Sequence, residues 1–482
     1  MYDAAFNNIE NILRTEDGIS TELEYVEQTS WLLFLKYLSD LETERKTRAE
    51  LDGVTYEPII ASGYAWGEWA YPMSAGDLND DKALTGDDLI AFVDQELFPY
   101  LGRLSRSAKN RNSIQYKVGE VFGEIQSKFR NGYTLRDVIE QVQKLSFNTQ
   151  SSRHELSHLY ETRIKNMGNA GKNAGEYYTP RPLIRAMIKL IDPKVGETIY
   201  DGAVGSAGFL CEALDYMRSD NLSATEFETL QTKTFHGQEK KGLAYIIGLI
   251  NMILHGIEAP NIVLSNSLNQ NVMDIQDAER HDIILANPPF GGSERQQVQQ
   301  NFPIKSSETA YLFLQHFMRK LKAGGRAAVV IKNTFLSNND NASISLRREL
   351  LKTCDLHRIL DCPQGTFQGA GVKTIVLFFT KGKETKSTWY YQLDPGRSLG
   401  KTNPLNDNDL SEFLELAVLS AESEKSWNVS TSEVDLETWD LTVNNPNKVE
   451  EVDNRTPAEI IAEIEELDAQ AAQALNAIKE LL

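Results

Sequence analysis

The chain is short of positive charge. Its 482 residues carry 49 Lys and Arg against 69 Asp and Glu, a formal net charge of −20. A protein that grips nucleic acid unaided needs a basic face, because phosphates are contacted by Lys and Arg. Either the ligand is not nucleic acid, or another chain supplies most of the grip. Cysteine is scarce as well. Cys211, Cys354 and Cys362 are the only three, and their spacing fits neither a metal site nor a disulfide framework. No apolar run approaches the roughly 20 residues of a membrane span. Residues 1–10 show neither the basic nor the apolar segment of a secretory signal. A cytoplasmic location without membrane attachment is the expectation. There is no internal repeat and no low-complexity tract.

What is present divides into three parts. With 41% hydrophobic residues, the chain is long enough for two or three domains. Residues 1–165 read as a helical N-terminal domain. Leu23, Val26, Trp31, Phe34, Leu35 and Leu38 recur at near-helical spacing and predict a largely buried helix. Residues 58–72 read as an irregular loop. From about Gly175 short apolar strands alternate with helices. Strands are expected at 198–200, 234–236, 262–264, 283–285, 327–331 and 375–379, and helices at 207–217, 242–254 and 310–321. Residues 166–400 therefore read as an α/β domain with a doubly wound, mostly parallel sheet. Ligands of such sheets sit at the carboxyl ends of the strands. The third part, 401–482, ends in a helix over 456–482. Thr456, Pro457 and Glu459 supply an N-cap, a proline at the first helical position and a capping-box acid. Ile460, Ile464, Leu467, Ala471, Ala474, Ile478 and Leu481 follow at coiled-coil spacing. This run is acidic and separate from the sheet, so pairing with another chain is expected over packing on its own domain.

Asn287-Pro288-Pro289-Phe290 follows the apolar strand at 282–286. An Asn amide offers an acceptor oxygen and donor hydrogens. The prolines fix the backbone behind it and donate nothing. An aromatic face comes next. The combination is a rigid cup for a planar amino group attached to a ring. The polar stretch 291–307 after it reads either as a cover for the site or as a disordered insertion.

Upstream, Asp201-Gly202-Ala203-Val204-Gly205-Ser206-Ala207-Gly208-Phe209-Leu210 turns from the first strand into a helix. Its glycines allow a tight turn and close approach to a ligand, and the helix start offers free amide donors. The absent Lys excludes a P-loop. Glu239 ends the second strand, where a carboxylate accepts the ribose hydroxyls of an adenosine ligand. Gly175-Glu176-Tyr177-Tyr178-Thr179-Pro180-Arg181 precedes the helix that enters the sheet domain. It reads both as a wrap for the far end of a cofactor and as an N-cap at Thr179 with Pro180 at the first helical position.

In this order the motifs resemble amino-group DNA methyltransferases that use S-adenosylmethionine. They are most similar to the methylation subunits of type I restriction–modification systems. The likeness runs nearly the whole length. It includes Tyr25-Val26-Glu27 and 30–38 near the N-terminus, Pro363-Gln364-Gly365, Gly371-Val372-Lys373-Thr374 and the helical tail. It implies a methyltransferase domain at 166–400 with S-adenosylmethionine as cofactor. The expected cofactor residues are Glu176, Tyr177, Tyr178, Thr179, Pro180, Arg181, Asp201, Gly205, Ser206, Ala207, Gly208 and Glu239. Asn287, Pro288, Pro289 and Phe290 would be the catalytic set, methylating N6 of a flipped adenine in double-stranded DNA. The Asn287 oxygen and the Pro288 carbonyl would accept the two amino hydrogens, freeing the nitrogen lone pair, and Phe290 would stack on the base. A separate DNA-specificity subunit, docked through the terminal helix, and a restriction or translocase subunit are the implied partners. Three departures stand out. Gly202 replaces a proline, Val204 a smaller residue, and Asn266-Ser267-Leu268 lack a common Asp. A protein-glutamine or RNA methyltransferase uses the same cup, and a non-catalytic scaffold retains the same fold.

Two further patterns stay open. His154-Glu155-Leu156-Ser157-His158 matches a zinc-protease pattern, but no third ligand stands out, and surface or packing histidines are expected instead. Arg103, Arg106, Lys109, Arg111 and Lys117 form one basic cluster, and Arg163, Lys165, Lys172, Arg181 and Arg185 another. Each reads as solvated surface or as phosphate contact.

Overall fold

The computed structural model describes residues 2–74, 77–79, 81–110, 113–168, 178–219, 221–367, 371–442, 444–447 and 456–480. Helix α1 (Tyr2–Leu13) leads into α2 (Glu22–Leu51). A capping box of Thr21 and Glu24 starts α2, which satisfies two of its free amides. Val26, Trp31, Phe34, Leu35 and Leu38 are buried as the spacing predicts, whereas Leu23 is 36% exposed. Further helices at Phe98–Ser107, Ile114–Glu124 and Gly132–Gln143 complete this part, and α3 (Gln150–Gly168) leads out of it.

The sheet has nine strands. They are β1 (Ile199–Asp201), β2 (Phe235–Glu239), β3 (Ile262–Leu264), β4 (His281–Ala286), β5 (Leu321–Lys332), β6 (Cys354–Cys362), β7 (Thr374–Lys381), β8 (Ser387–Gln392) and β9 (Ser426–Ser430). Their spatial order is β3-β2-β1-β4-β5-β7-β6-β8-β9. The strands from β3 to β5 are parallel. β7 runs antiparallel between β5 and β6, β8 returns parallel to β6, and β9 closes the edge antiparallel. The architecture is thus doubly wound and mostly parallel. Its order reverses between β1 and β4, where Ile199 lies opposite Ile283. A crevice opens at such a reversal, beyond the carboxyl ends of the strands.

Side chains alternate across the pleat. Ile199, Ile283, Leu285, Val330, Val376 and Phe378 face a core that is continuous with the N-terminal helices. Tyr200, Ile284, Val329, Leu377 and Phe379 face the opposite core. Helices α4 (Arg181–Ile191), α5 (Gly208–Met217) and α6 (Gly242–Leu254) belong to the first side, α7 (Thr309–Lys320) and α8 (Asn341–Thr353) to the second. The N-terminal helices are bonded directly to this frame. Lys117, a member of the first basic cluster, is buried and donates to the Ile262 carbonyl on edge strand β3 at 2.5 Å.

The last helix, α9 (Pro457–Glu480), starts at the expected capping box. The Thr456 amide donates to Glu459 at 2.6 Å, and the Glu459 amide to the Thr456 hydroxyl at 3.3 Å. Ile464 and Leu467 are 52% and 57% exposed, while Ile460 is half-buried. The side chains of Ala474 and Ile478, and Leu481 as a whole, lie outside the described residues. No helix among the described residues is long and apolar enough to cross a membrane.

Candidate active site at the sheet reversal

The turn after β1 is built by backbone geometry. Asp201 is fully buried at the strand end, and its carboxylate accepts the Ala203 amide at 2.9 Å. Gly205 takes φ +54°, and Ala207 follows at φ +59°, a left-handed conformation that costs an alanine roughly 1 kcal/mol. Gly208 then opens α5, and the Arg181 guanidinium lies where any side chain at Gly208 would stand. Burial pushes the Asp201 carboxyl up to about 8, and the nearby Glu239 charge adds to the effect.

Glu239 is fixed by three backbone amides at 2.9 Å. Gly205 bonds one oxygen, and Lys240 and Lys241 bond the other. The second strand end and the first turn are thereby locked together before any ligand arrives. Two of the departures have a steric cause. A side chain at Gly202 would press on Phe317 and the Tyr200 hydroxyl, which would have to shift to admit it. Val204 occupies the space left by Gly237. At the third departure the Ser267 hydroxyl donates to the Gly202 carbonyl at 2.6 Å, tying the loop after β3 to the first turn.

Asn287 stands directly after β4 and is 9% exposed. It lines two spaces. One is a cleft of about 290 Å³ shared with Gly202, Ala203, Glu239, Ser267 and Gly291. The other is a narrow recess bounded by Thr179, Gly205, Ser206 and Gly208. Its Nδ2 donates to the Thr179 hydroxyl at 3.0 Å. Thr179 therefore does not cap α4. Pro180 holds the N-cap position without a side-chain bond, and α4 begins at Arg181.

The other expected residues scatter. Arg181 points away from the cleft and is buried against Glu161 of α3, with bonds at 2.7 and 3.2 Å. Its guanidinium also lies 5.6 Å from the Tyr178 ring centre. Both sit beside the site rather than in it. Glu176 and Tyr177 lie outside the described residues, as does Gly175. Pro288 is buried behind Asn287, and Pro289 lines the cleft. The Phe290 ring is buried and already has an aromatic neighbour. It packs edge-to-face on Phe367, centroids 4.9 Å apart at 82°, and no third ring fits between them as they stand.

The stretch 291–307 is tied down by hydrogen bonds, and its first residues, Gly291 to Glu294, line the cleft. The Glu294 amide bonds the Ser307 carbonyl, the Val272 amide bonds Asn301, and Gln315 of α7 bonds both backbone groups of Ile304. Lys240 and Glu294 pair across the mouth of the cleft at 3.5 Å. Phe367, Lys240, Glu294, Ser267 and Phe313 were not picked out as site residues from the sequence. They carry no local motif and come together only through the fold.

Four of the clustered basic side chains are engaged inside the molecule, while Arg103, Arg106 and Lys109 remain exposed. Lys117 bonds β3, Arg163 pairs with Glu10 and Asn7, and Arg181 with Glu161. Arg185 pairs with Glu212 and Asp407. Arg111 and Lys172 lie outside the described residues. In the zinc-like pattern, Glu155 accepts the Tyr2 amide at 3.0 Å and ties α3 to α1.

A parallel sheet with a glycine turn after β1, a fixed acid after β2 and an Asn-Pro-Pro-Phe cup after β4 defines an S-adenosylmethionine-dependent amino-methyltransferase. Residues 151–455 match the family model for N-6 DNA methylases, and residues 5–162 match that for the HsdM N-terminal domain. The chain belongs to the N-6 DNA methylase family. It is 32% identical to the type I restriction enzyme EcoEI methylase subunit of Escherichia coli, over 99% of this chain and 97% of that one. It is 28% identical to the EcoKI methylase subunit of E. coli K12, over 87% and 78% of the respective chains. Among solved structures, a chain from a type I restriction–modification assembly matches with a TM-score of 0.80 at 35% identity, covering 99% of this chain and 97% of that one. A modification subunit ascribed to a type I restriction enzyme of Vibrio vulnificus gives 0.79 at 34%, covering 92% and 96%. The protein is an adenine-N6 DNA methyltransferase of the type I methylase-subunit kind, with S-adenosylmethionine as methyl donor. The protein-glutamine, RNA and scaffold alternatives give way to that.

Proposed function

We propose that Asn287 and the Pro288 carbonyl hold the amino group of an extruded adenine at the junction of the cleft and the recess. The observation that carries this reading is the position of Asn287 on the walls of both spaces. The residues present fit the cofactor. Glu239, already fixed by three amides, keeps one acceptor position, on the oxygen that Gly205 bonds, for a ribose hydroxyl. The turn at Gly205, Ser206, Ala207 and Gly208 leaves backbone close to a ligand with little side chain in the way. S-adenosylmethionine supplies an electrophilic methyl group. The protein's part is orientation, which is worth several kcal/mol in a reaction of this type. Two acceptors on the amino hydrogens draw the nitrogen lone pair out of the ring, and no strong base is required before transfer. Phe290 stacks on the base once the Phe290–Phe367 pair has parted. Gly291 to Glu294 close the cleft against water.

The other cofactor candidates act at one remove. Asp201 orders the turn through Ala203, and Tyr178, Pro180 and Arg181 set the position of Thr179. Residues 1–165, 166–400 and 401–482 are the functional units, the third returning β9 to the sheet of the second. Double-stranded DNA is the substrate, in a cytoplasmic setting. A separate specificity subunit, bound through α9, supplies the grip that a net charge of −20 denies this chain, and a restriction or translocase subunit joins the assembly. The test is Asn287→Ala in the full chain with its specificity subunit. S-adenosylhomocysteine binding is expected to persist and methyl transfer to fall by at least about a thousandfold. Methylation retained at near wild-type rate would overturn the assignment.

A further inference from the structure

The reading above gives Asn287 one job, which is to present an oxygen to the base. A primary amide has two faces of opposite sense, and only one of them serves. The carbonyl oxygen accepts an amino hydrogen, whereas the NH2 group would set donor against donor. Something must hold the amide the right way round. The next two residues are prolines and offer the Asn287 side chain no amide hydrogen. The structure supplies a partner from a distant segment. Thr179 lies 108 positions earlier, and its hydroxyl accepts Nδ2 of Asn287 at 3.0 Å.

We infer that Thr179 is the positioning residue for Asn287: its hydroxyl takes the amide NH2 and so turns the Asn287 oxygen toward the adenine amino group. This rests on the function proposed above and adds a residue to it. Three observations converge. Thr179 and Asn287 line the same recess, so the bond spans the floor of the proposed reaction site. Thr179 is not used as a helix cap, although the sequence places it where a cap would stand; Pro180 holds that position. The segment that carries it is anchored independently of the cofactor. Arg181, two residues on, is buried in a paired contact with Glu161, and Glu161 also accepts from Asn251 at 3.2 Å. Asn251 in turn donates to the Ser206 carbonyl at 2.8 Å. Threonine 179 is thus fixed relative to both the glycine turn and the N-terminal helices, and it passes that fixity to the amide.

The test uses the full chain assembled with its specificity subunit, with Thr179→Val and Thr179→Ser beside the wild type. Valine keeps the shape and removes the acceptor; serine keeps the acceptor. For Thr179→Val the inference expects kcat to fall about tenfold to a hundredfold. The Kd for S-adenosylhomocysteine and the KM for DNA should stay within about twofold, and serine should recover most of the rate. A 2-aminopurine at the target position should still brighten on binding, because extrusion of the base precedes the step that Thr179 serves. A purely structural lesion would instead lower kcat, raise the Kd and the KM, and weaken the 2-aminopurine signal together. Unchanged kcat in the valine variant overturns the inference. So does a loss confined to the cofactor Kd with normal kcat at saturation, which would make Thr179 a cofactor contact. Asn287→Ala measured in parallel separates the two claims. If that variant is active, the reading of the site fails; if it is dead while Thr179→Val is normal, only the role of Thr179 fails.

Discussion

A carboxyl at the end of β1 is common enough in a nucleotide-binding sheet, but Asp201 is sealed in it. One oxygen accepts the Ala203 amide, and the other is buried without a hydrogen-bond partner. Burial, with Glu239 nearby, pushes its pKa up to about 8, against roughly 3.9 for an unfolded Asp. The folded state therefore holds a proton that the unfolded state releases between about pH 4 and pH 8. Over that window the folded state binds more protons, so stability falls as pH rises, by up to about 1.4 kcal/mol per unit. Asp201→Asn keeps the acceptor for Ala203 and removes the ionisation. Its Tm relative to wild type is expected to rise steadily from pH 5 to pH 8. A difference that is flat across that range would mean the carboxyl is already ionised at pH 5. The neighbouring departures at Gly202 and Val204 show why single positions resist reading from sequence. Each is decided by a residue far away in the chain, Phe317 in one case and Gly237 in the other.

Elements were legible where their pattern was local. The helix at Gly242–Leu254 and the strand at Ile262–Leu264 fall where apolar runs place them, and the glycine turn, Glu239 and Asn287 stand at strand ends as expected. β6, β8 and β9 were missed. Cys354–Cys362 mixes Asp, His and Arg into the strand, and Ser387–Gln392 relies on aromatics, so neither shows a continuous aliphatic run. Contacts between elements were not legible at all. One of them is the junction of α3, α4 and α6, where Glu161 meets Arg181 and Asn251. The attached Arg181 charge holds the Glu161 carboxyl below its usual range even though burial pushes it up. Removing one partner leaves a buried charge alone, which typically costs about 3–5 kcal/mol. Glu161→Gln is expected to lose that order of stability in urea unfolding. It should also weaken S-adenosylhomocysteine binding, because Asn251 connects the same carboxylate to Ser206. Normal cofactor affinity in a destabilised variant would uncouple the junction from the glycine turn.

At the scale of the whole molecule the charge balance and the tail answer one another. The chain is acidic, and several of its clustered basic side chains, Lys117, Arg163, Arg181 and Arg185, are engaged in internal bonds, which leaves much of the phosphate contact to a partner. The tail helix leaves apolar positions in water: Ile461, Ile464 and Leu467 are each more than half exposed. Within the chain they bury little, and most of a helix's stability in a protein comes from packing its apolar face. Their value lies in burial against another chain, at roughly 25 cal/mol per Å² of apolar surface covered. Truncation after residue 455 separates the two roles. Because the described side chains of α9 make almost no buried contact with the body, unfolding free energy should change by less than about 0.5 kcal/mol, and S-adenosylhomocysteine binding should be untouched. Co-sedimentation with the specificity subunit should be lost, and DNA methylation with it. A truncated chain that still assembles at wild-type affinity would show that the stripe on α9 is not where the partner binds, and would move the search to the body of the protein.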